Sequence, residues 1–238
     1  IAPSTLEEAY EVVDTIERGD YDHLREELGD LLFQVIFYSQ LAREEERFDF
    51  ERIVDGLVVK LVRRHPHVFP DGDLARRASA SERDSEAVKG RWEAIKQQER
   101  ADKGVTGSLD DVPLNLPALS RAAKLQKRAS GQGFDWPDSA GPLAKVREEL
   151  TELEQTLEPG KPDPEVQALR AEELGDLLFS VVNLARHLSL DPEAALRGAN
   201  RKFEQRFRWV EQAASGELAG QSPENLDVLW RQAKKTGL

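Results

Sequence analysis

Apolar residues recur along this chain at spacings of three and four, and no run of alternating β-branched residues interrupts them. Nearly every ordered segment is therefore predicted to be helical, and the fold class is all-α. Helix start signals are frequent. Ser4 followed by Glu7 has the form of a capping box, Asp49 can cap a helix entering at Phe50, and Asp191-Pro192 and Ser222-Pro223 each place a capping side chain before a proline at the first helical position. One segment carries a double pattern. Leu174, Leu177, Leu178, Val181, Leu184, Ala185 and Leu188 fall on a broad apolar face, while Glu173, Asp176, Ser180, Asn183 and His187 form a narrow polar stripe. Such a helix is expected to be mostly buried, with the stripe lining a cavity or an oligomer interface.

The same segment is duplicated. Glu26-Glu27-Leu28-Gly29-Asp30-Leu31-Leu32-Phe33 recurs unchanged as Glu172-Glu173-Leu174-Gly175-Asp176-Leu177-Leu178-Phe179. An acidic pair precedes each copy, Glu8 with Glu11 and Glu149 with Glu152, and a basic pair follows each, Lys60 with Arg64 and Lys202 with Arg206. The chain reads as a tandem repeat: 1–100, a linker over 101–115, and 116–238. A helix through Trp92 is expected before the Gly- and Asp-containing stretch from Gly104 to Asp111.

Composition removes several classes of function. With 33 Lys and Arg against 45 Asp and Glu, the net charge of −12 opposes sequence-independent attachment to a phosphate backbone, so nucleic acid is not the expected partner. No apolar stretch approaches the roughly 20 residues of a membrane span, and no membrane partner is expected. The absence of cysteine excludes disulfides, thiolate metal sites and cysteine nucleophiles. No signal sequence opens the chain, which predicts a cytoplasmic protein.

What remains for chemistry is carboxylate. Residues three or four apart share a helix face, so Glu149 with Glu152 and Glu173 with Asp176 bring four acids together when their helices pack side by side. A lone Glu-x-x-Glu is an ordinary solvated face, but four converging carboxylates must bind cations or take up protons. All-oxygen ligation selects a hard ion, Mg²⁺ with Mn²⁺ as a substitute. Di-iron bundles need a histidine three residues after glutamate, and neither acidic pair offers one. His65 and His67, near Asp71 and Asp73, read as a packed helix terminus rather than a metal pair. Metal ions beside fixed cations suit phosphate chemistry, and Lys202 with Arg206 is either such a pair or a surface ion pair. Asn200 is a single amide on the apolar face of Leu196, Phe203 and Phe207, and needs a structural partner or a ligand.

Glu-Glu-x-x-Glu, Glu-Glu-Leu-Gly-Asp-Leu-Leu-Phe, Arg63-Arg64-His65-Pro66-His67-Val68-Phe69 and Gly133-Phe134-Asp135-Trp136, in tandem, resemble the MazG family of nucleoside triphosphate pyrophosphohydrolases. The resemblance spans essentially the whole chain, although the family's Cys-Pro-Trp-Asp opening is absent. It implies two MazG-like helical repeats, each completing a four-helix arrangement by homodimerisation, and Mg²⁺-dependent hydrolysis of a nucleoside triphosphate to monophosphate and pyrophosphate. By position it makes Glu149, Glu152, Glu173 and Asp176 the metal ligands, matched in the first repeat by Glu8, Glu11, Glu27 and Asp30. It implies phosphate and nucleotide contacts from Lys145, Glu148, Glu172, Asn183, Asn200, Lys202 and Arg206. It likewise implies Trp230 and Lys234 as base and phosphate contacts, with a core or dimer anchor as the other reading of Trp230.

The two repeats differ around the shared acids. Superposing the motifs sets Lys145 against Ser4, Asn183 against Phe37 and Asn200 against Val58, and the first repeat's polar stripe turns apolar beyond Gln34. A site without these groups can hold metal but cannot orient a nucleotide. The C-terminal repeat is therefore expected to catalyse and the N-terminal one to be structural or weakly active. The rival expectation is a dimeric helical module that binds a nucleotide or a protein without turnover.

Overall fold

A computed structural model describes residues 2–70, 95, 98–99, 102, 104, 107–157, 164–214 and 218–237; the helix expected through Trp92, and Asp71 and Asp73, lie outside these. Among the described residues there are eight helices and no strand. None is long and apolar enough to cross a membrane. The chain divides into two compact units, Ile1–Lys103 and Gly104–Leu238.

The first unit is built on a hairpin of α1 (Ala2–Arg18) and α2 (Tyr21–Glu44), followed by α3 (Phe50–Arg64). Gly19, at φ 69°, makes the reversal between α1 and α2, and Asp20 caps α2 by accepting from the His23 amide at 3.2 Å. Asp49 caps α3 by accepting from the Arg52 amide at 3.0 Å. Ser4 does not act as a cap, because α1 already begins at Ala2 with Pro3 in its first turn, where a missing amide hydrogen costs nothing. At the far end of α3, His65 is the C-cap residue, its ring nitrogen 2.7 Å from the Leu61 carbonyl. The preceding Arg63 and Arg64 both donate to Glu99, whose carboxyl is held at about 2, chiefly by the Arg64 hydrogen bonds.

The second unit opens with a turn in which the Gly107 amide donates to Asp110 at 2.8 Å. Part of the expected connecting segment is built into this unit: Val112 is buried, and Asp111 accepts from Arg128 at 2.8 Å. Helix α4 (Ala118–Ser130) follows, then the hairpin of α5 (Ala140–Gln155) and α6 (Pro164–His187), then α7 (Pro192–Ala213) and α8 (Pro223–Lys235). Asp191 and Ser222 cap α7 and α8 as their Pro-containing signals predict, accepting from Ala194 and Asn225 amides at 2.9 and 3.2 Å. Helix α6 packs chiefly on α5 and α4, and α8 packs on α7. Arg170 ties the start of α6 to the end of α5 by donating twice to the Thr156 carbonyl, at 2.9 and 2.7 Å.

The orientation of α6 departs from expectation. Its polar stripe, not its apolar face, points into the unit: Ser180 and Asn183 are buried, while Leu174, Leu178, Val181 and Leu188 are 47%, 49%, 43% and 52% exposed. In α2 the buried positions are Gln34, Ser39 and Ala42, and Leu28, Leu32, Phe33 and Ile36 are exposed. A two-helix hairpin can cover only one face of each helix, and here that face carries the polar stripe. The buried apolar side chains among the described residues are few and small, Ala42, Val112, Pro142, Val182, Val210 and Ala233.

Candidate active site

The inward stripe of α6 meets α5 where Glu149 is buried, only 5% exposed. Glu149, Glu152 and Glu173 each bring a carboxylate oxygen within 4.8 Å of the others, and Glu8, Glu11 and Glu27 do the same in the first unit. Both clusters arise from one local rule: an i, i+3 pair on one helix faces a glutamate on its hairpin partner. The crowding has an electrostatic signature. Glu152 is held above the usual carboxylate range, first by desolvation and then by the charges of Glu149 and Glu173. Glu8 is raised by desolvation, then by Asp30 and Glu11, and Glu11 by desolvation, then by Glu27. Oxygen-only donors at this spacing, each disfavouring its neighbour's charge, fit a hard divalent cation.

Beside the second cluster, a cavity of about 470 Å³ is lined by Lys145, Glu149 and Asp176, by the apolar and aromatic side chains of Leu125, Phe134, Trp136 and Phe179, and by the polar groups of Gln126, Asn183 and Arg186. Lys145 Nζ lies 2.6 Å from Glu149 Oε1 and 3.0 Å from Glu148 Oε1, and these two hydrogen bonds, Glu149 first, raise its pKa. In the first unit a cavity of about 480 Å³ is lined by Ile36, Ser39, Gln40, Arg43, Asp49, Phe50 and Glu51, none of which belongs to the acidic cluster. Phe37, at the position of Asn183, stacks on Phe33 with ring centroids 5.9 Å apart.

Of the residues expected at the site, the structure brings Glu149, Glu152 and Glu173 into one cluster and sets Lys145, Asp176 and Asn183 with Glu149 in the cavity wall, with Asp176 outside the three-glutamate group. Glu148 is exposed and paired with Lys145, and Glu172 is exposed. Asn200, Lys202 and Arg206 on α7, and Trp230 and Lys234 on α8, do not line this cavity. Trp230 packs on Phe203, centroids 5.4 Å apart, and so holds α8 to α7. Asn200 is exposed, as are Leu196, Phe203 and Phe207 around it.

Among the cavity residues that carried no role in the sequence reading are Gln126, Asp135, Trp136 and Arg186. Asp135 and Trp136 stand in the Gly-Phe-Asp-Trp string, which marks their importance but not their partners. Gly133, at φ 84°, turns the chain so that the Phe134 amide donates back to Ala129 at 3.1 Å. Asp135 then receives Arg186 in a two-pronged pair, one arm at 2.8 Å, and faces His187 Nε2 at 2.9 Å. Its carboxyl is held at about 2, chiefly by the Arg186 hydrogen bonds, with His187 adding to the effect. Arg186 also donates to Asn183 Oδ1 from Nε at 3.1 Å and from a terminal nitrogen at 2.8 Å.

Fold and site together place the chain among all-α proteins built on duplicated, carboxylate-bearing helix hairpins. The MazG nucleotide pyrophosphohydrolase domain matches residues 1–69 and 141–211, and the chain belongs to this family. A nucleoside triphosphate pyrophosphohydrolase of Escherichia coli is 52% identical over 238 residues, covering 99% of this chain and 86% of the relative. The nucleoside triphosphate pyrophosphohydrolase/pyrophosphatase MazG of Thermotoga maritima is 41% identical over 237 residues, 98% of this chain and 85% of the relative. A nucleoside triphosphate pyrophosphohydrolase of Mycobacterium tuberculosis is 40% identical over 131 residues, 54% of this chain and 37% of the relative.

Two predictions concern the cavity wall. A Cβ on Gly141 would sit 1.9 Å from Trp136 Cδ1, so Gly141→Ala must displace the indole. It should cost about 1–3 kcal/mol in denaturant unfolding and raise KM for nucleotide. Because Asp135 has a depressed folded-state pKa, its contribution is present above the unfolded value near 4 and disappears as pH falls to about 2. Asp135→Asn should therefore lose on the order of 2 kcal/mol at pH 7, and the stability gap to wild type in thermal melts should close over that acid interval.

Proposed function

We propose that this protein hydrolyses ribo- and deoxyribonucleoside triphosphates to monophosphate and pyrophosphate, with Mg²⁺ or Mn²⁺ held by Glu149, Glu152, Glu173 and Asp176. The observation that carries the proposal is one cavity whose wall joins the carboxylates of Glu149 and Asp176, beside a three-glutamate cluster, to aromatic side chains suited to a base. The family membership and the printed activity of the relatives supply the reaction class. A cation bound among the carboxylates would neutralise phosphoryl oxygens and stabilise the charge that grows on them during hydrolysis. The chain's own groups do the positioning. Lys145, already at the wall beside Glu149, is the cation nearest a bound phosphate chain, and Asn183 orients the nucleoside from the buried stripe.

The active species is proposed to be a homodimer. The outward apolar faces of α2 and α6, and the stripe of Leu196, Phe203 and Phe207 on α7, are large side chains left open in a single chain. Pairing with a second copy would bury them and complete a four-helix arrangement. Asn200, Lys202, Arg206 and Lys234 are assigned to nucleotide contacts in that assembled state, with Glu148 and Glu172 at the rim. Catalysis is assigned to the C-terminal repeat, residues 116–238, and a structural or weakly active role to the N-terminal repeat with Glu8, Glu11, Glu27 and Asp30.

The direct test is incubation with a panel of NTPs and dNTPs plus Mg²⁺ and chromatography of the products. Monophosphate with pyrophosphate is the expected result; diphosphate with phosphate, or no turnover, would refute it. Glu173→Gln with Asp176→Asn should reduce kcat by about a thousandfold or more, since several kcal/mol of charge stabilisation is removed. Glu27→Gln with Asp30→Asn should keep most of the activity, and equal losses from the two double variants would overturn the assignment of unequal repeats. Light scattering should report twice the chain mass of 26.8 kDa, and an active monomer at micromolar concentration would contradict the dimer.

A further inference from the structure

The polar amides in the cavity wall are not free to choose their orientation. Asn183 is 8% exposed and accepts two hydrogen bonds from Arg186. A guanidinium can only donate, so the amide oxygen must face it and the Nδ2 hydrogens must point elsewhere. Among the described residues Nδ2 has no partner, and Asn183 lines the cavity. Gln126 is fixed in the opposite sense. Its Nε2 donates at 2.8 Å to the Phe179 carbonyl, which can only accept, so the amide oxygen is left over. That oxygen is buried without a partner, on a side chain only 6% exposed. Helix geometry brings the two amides together. The Phe179 carbonyl lies one turn before Asn183 on α6, where it accepts the Asn183 backbone amide, and Gln126 docks on that same carbonyl.

We propose that Asn183 and Gln126 form a fixed donor–acceptor pair that reads one acceptor and one donor on the edge of a nucleobase. Arg186, braced by Asp135 and His187, is the positioning residue that holds the donor in place. This rests on the nucleotide-hydrolysing reading of the same cavity and adds how the base is distinguished from the rest of the substrate. A side-chain amide that is free to rotate accepts either polarity, whereas a locked one imposes a penalty on a ligand that leaves it unpaired. The apolar wall of Phe134 and Trp136 suits a planar ring, and the buried Gln126 oxygen supplies a reason for the ring to carry an N–H.

The test compares a nucleoside triphosphate with base-free ribose 5′-triphosphate, using the full-length protein and Mg²⁺. Wild type should favour the nucleotide in kcat/KM. Asn183→Asp retains the partner of Arg186 but replaces the donor by an acceptor, and Gln126→Leu removes the acceptor. Each should reduce the nucleotide-to-ribose ratio about tenfold or more, carried mainly by KM. Arg186→Met, which frees the Asn183 amide, should lower the ratio by less, and Arg186→Lys should recover part of it. Variants that lose both substrates in parallel, leaving the ratio unchanged, would overturn the proposal, because that is the behaviour of a purely structural network. Calorimetric Kd values for the α,β-methylene nucleotide and its base-free counterpart give the same ratio without turnover. A protein that hydrolyses neither substrate yet shows the ratio and its loss in the variants would refute the hydrolase reading alone. A wild-type ratio near one would refute base reading alone.

Discussion

The structure depends on which side of each helix its hairpin closes. In α5 and α6 the enclosed side carries Glu149, Ser180 and Asn183, and in α1 and α2 it carries Thr15, Gln34 and Ser39. Enclosing polar groups is costly unless each is paired or given a ligand. The second unit meets that cost with Lys145 on Glu149 and Arg186 on Asn183, and retains the Gln126 oxygen as an unpaired exception. The price is a set of large apolar faces turned outward, which a soluble monomer seldom tolerates and a second copy would cover.

Crowding the acids also sets their chemistry. Desolvation, and then the charges of Glu149 and Glu173, hold Glu152 above its ordinary range, so the same packing that forms the hairpin prepares a place for positive charge. Lys145 offsets part of this charge through its ion pair with Glu149. In the first unit the corresponding position is Ser4, within the first turn of α1, and among the described residues no lysine is paired with the acids there. The two clusters are thus alike in their carboxylates and unlike in their surroundings, and Phe37, stacked on Phe33, stands at the position that Asn183 holds in the second unit.

The Gly-Phe-Asp-Trp turn connects these features. Gly133 reverses the chain after α4, Asp135 grips Arg186 and His187 at the end of α6, and Trp136 closes the wall against Gly141. A short loop therefore braces the helix that carries the polar stripe, and it does so with charge-assisted bonds at the C-terminal end of α6.

Much of this protein was legible in its sequence because helices write their periodicity and caps locally. The three- and four-residue spacing, the Asp49, Asp191 and Ser222 caps, the repeated Glu-Glu-Leu-Gly-Asp-Leu-Leu-Phe and the acid pairs at i, i+3 all depend on residues within one or two turns of each other. The sequence also showed that α6 has two unlike faces. It could not show which face the hairpin would enclose, because that follows from long-range packing in which a buried polar stripe and an exposed apolar one exchange their usual places. Ser4 was misread for a nearer reason, since Pro3 lets the helix begin earlier. Asp135, Arg186 and Gln126 lay beyond reach altogether: their partners are 51 and 53 residues away, and only the tertiary structure decides that one amide presents its hydrogens and the other its oxygen.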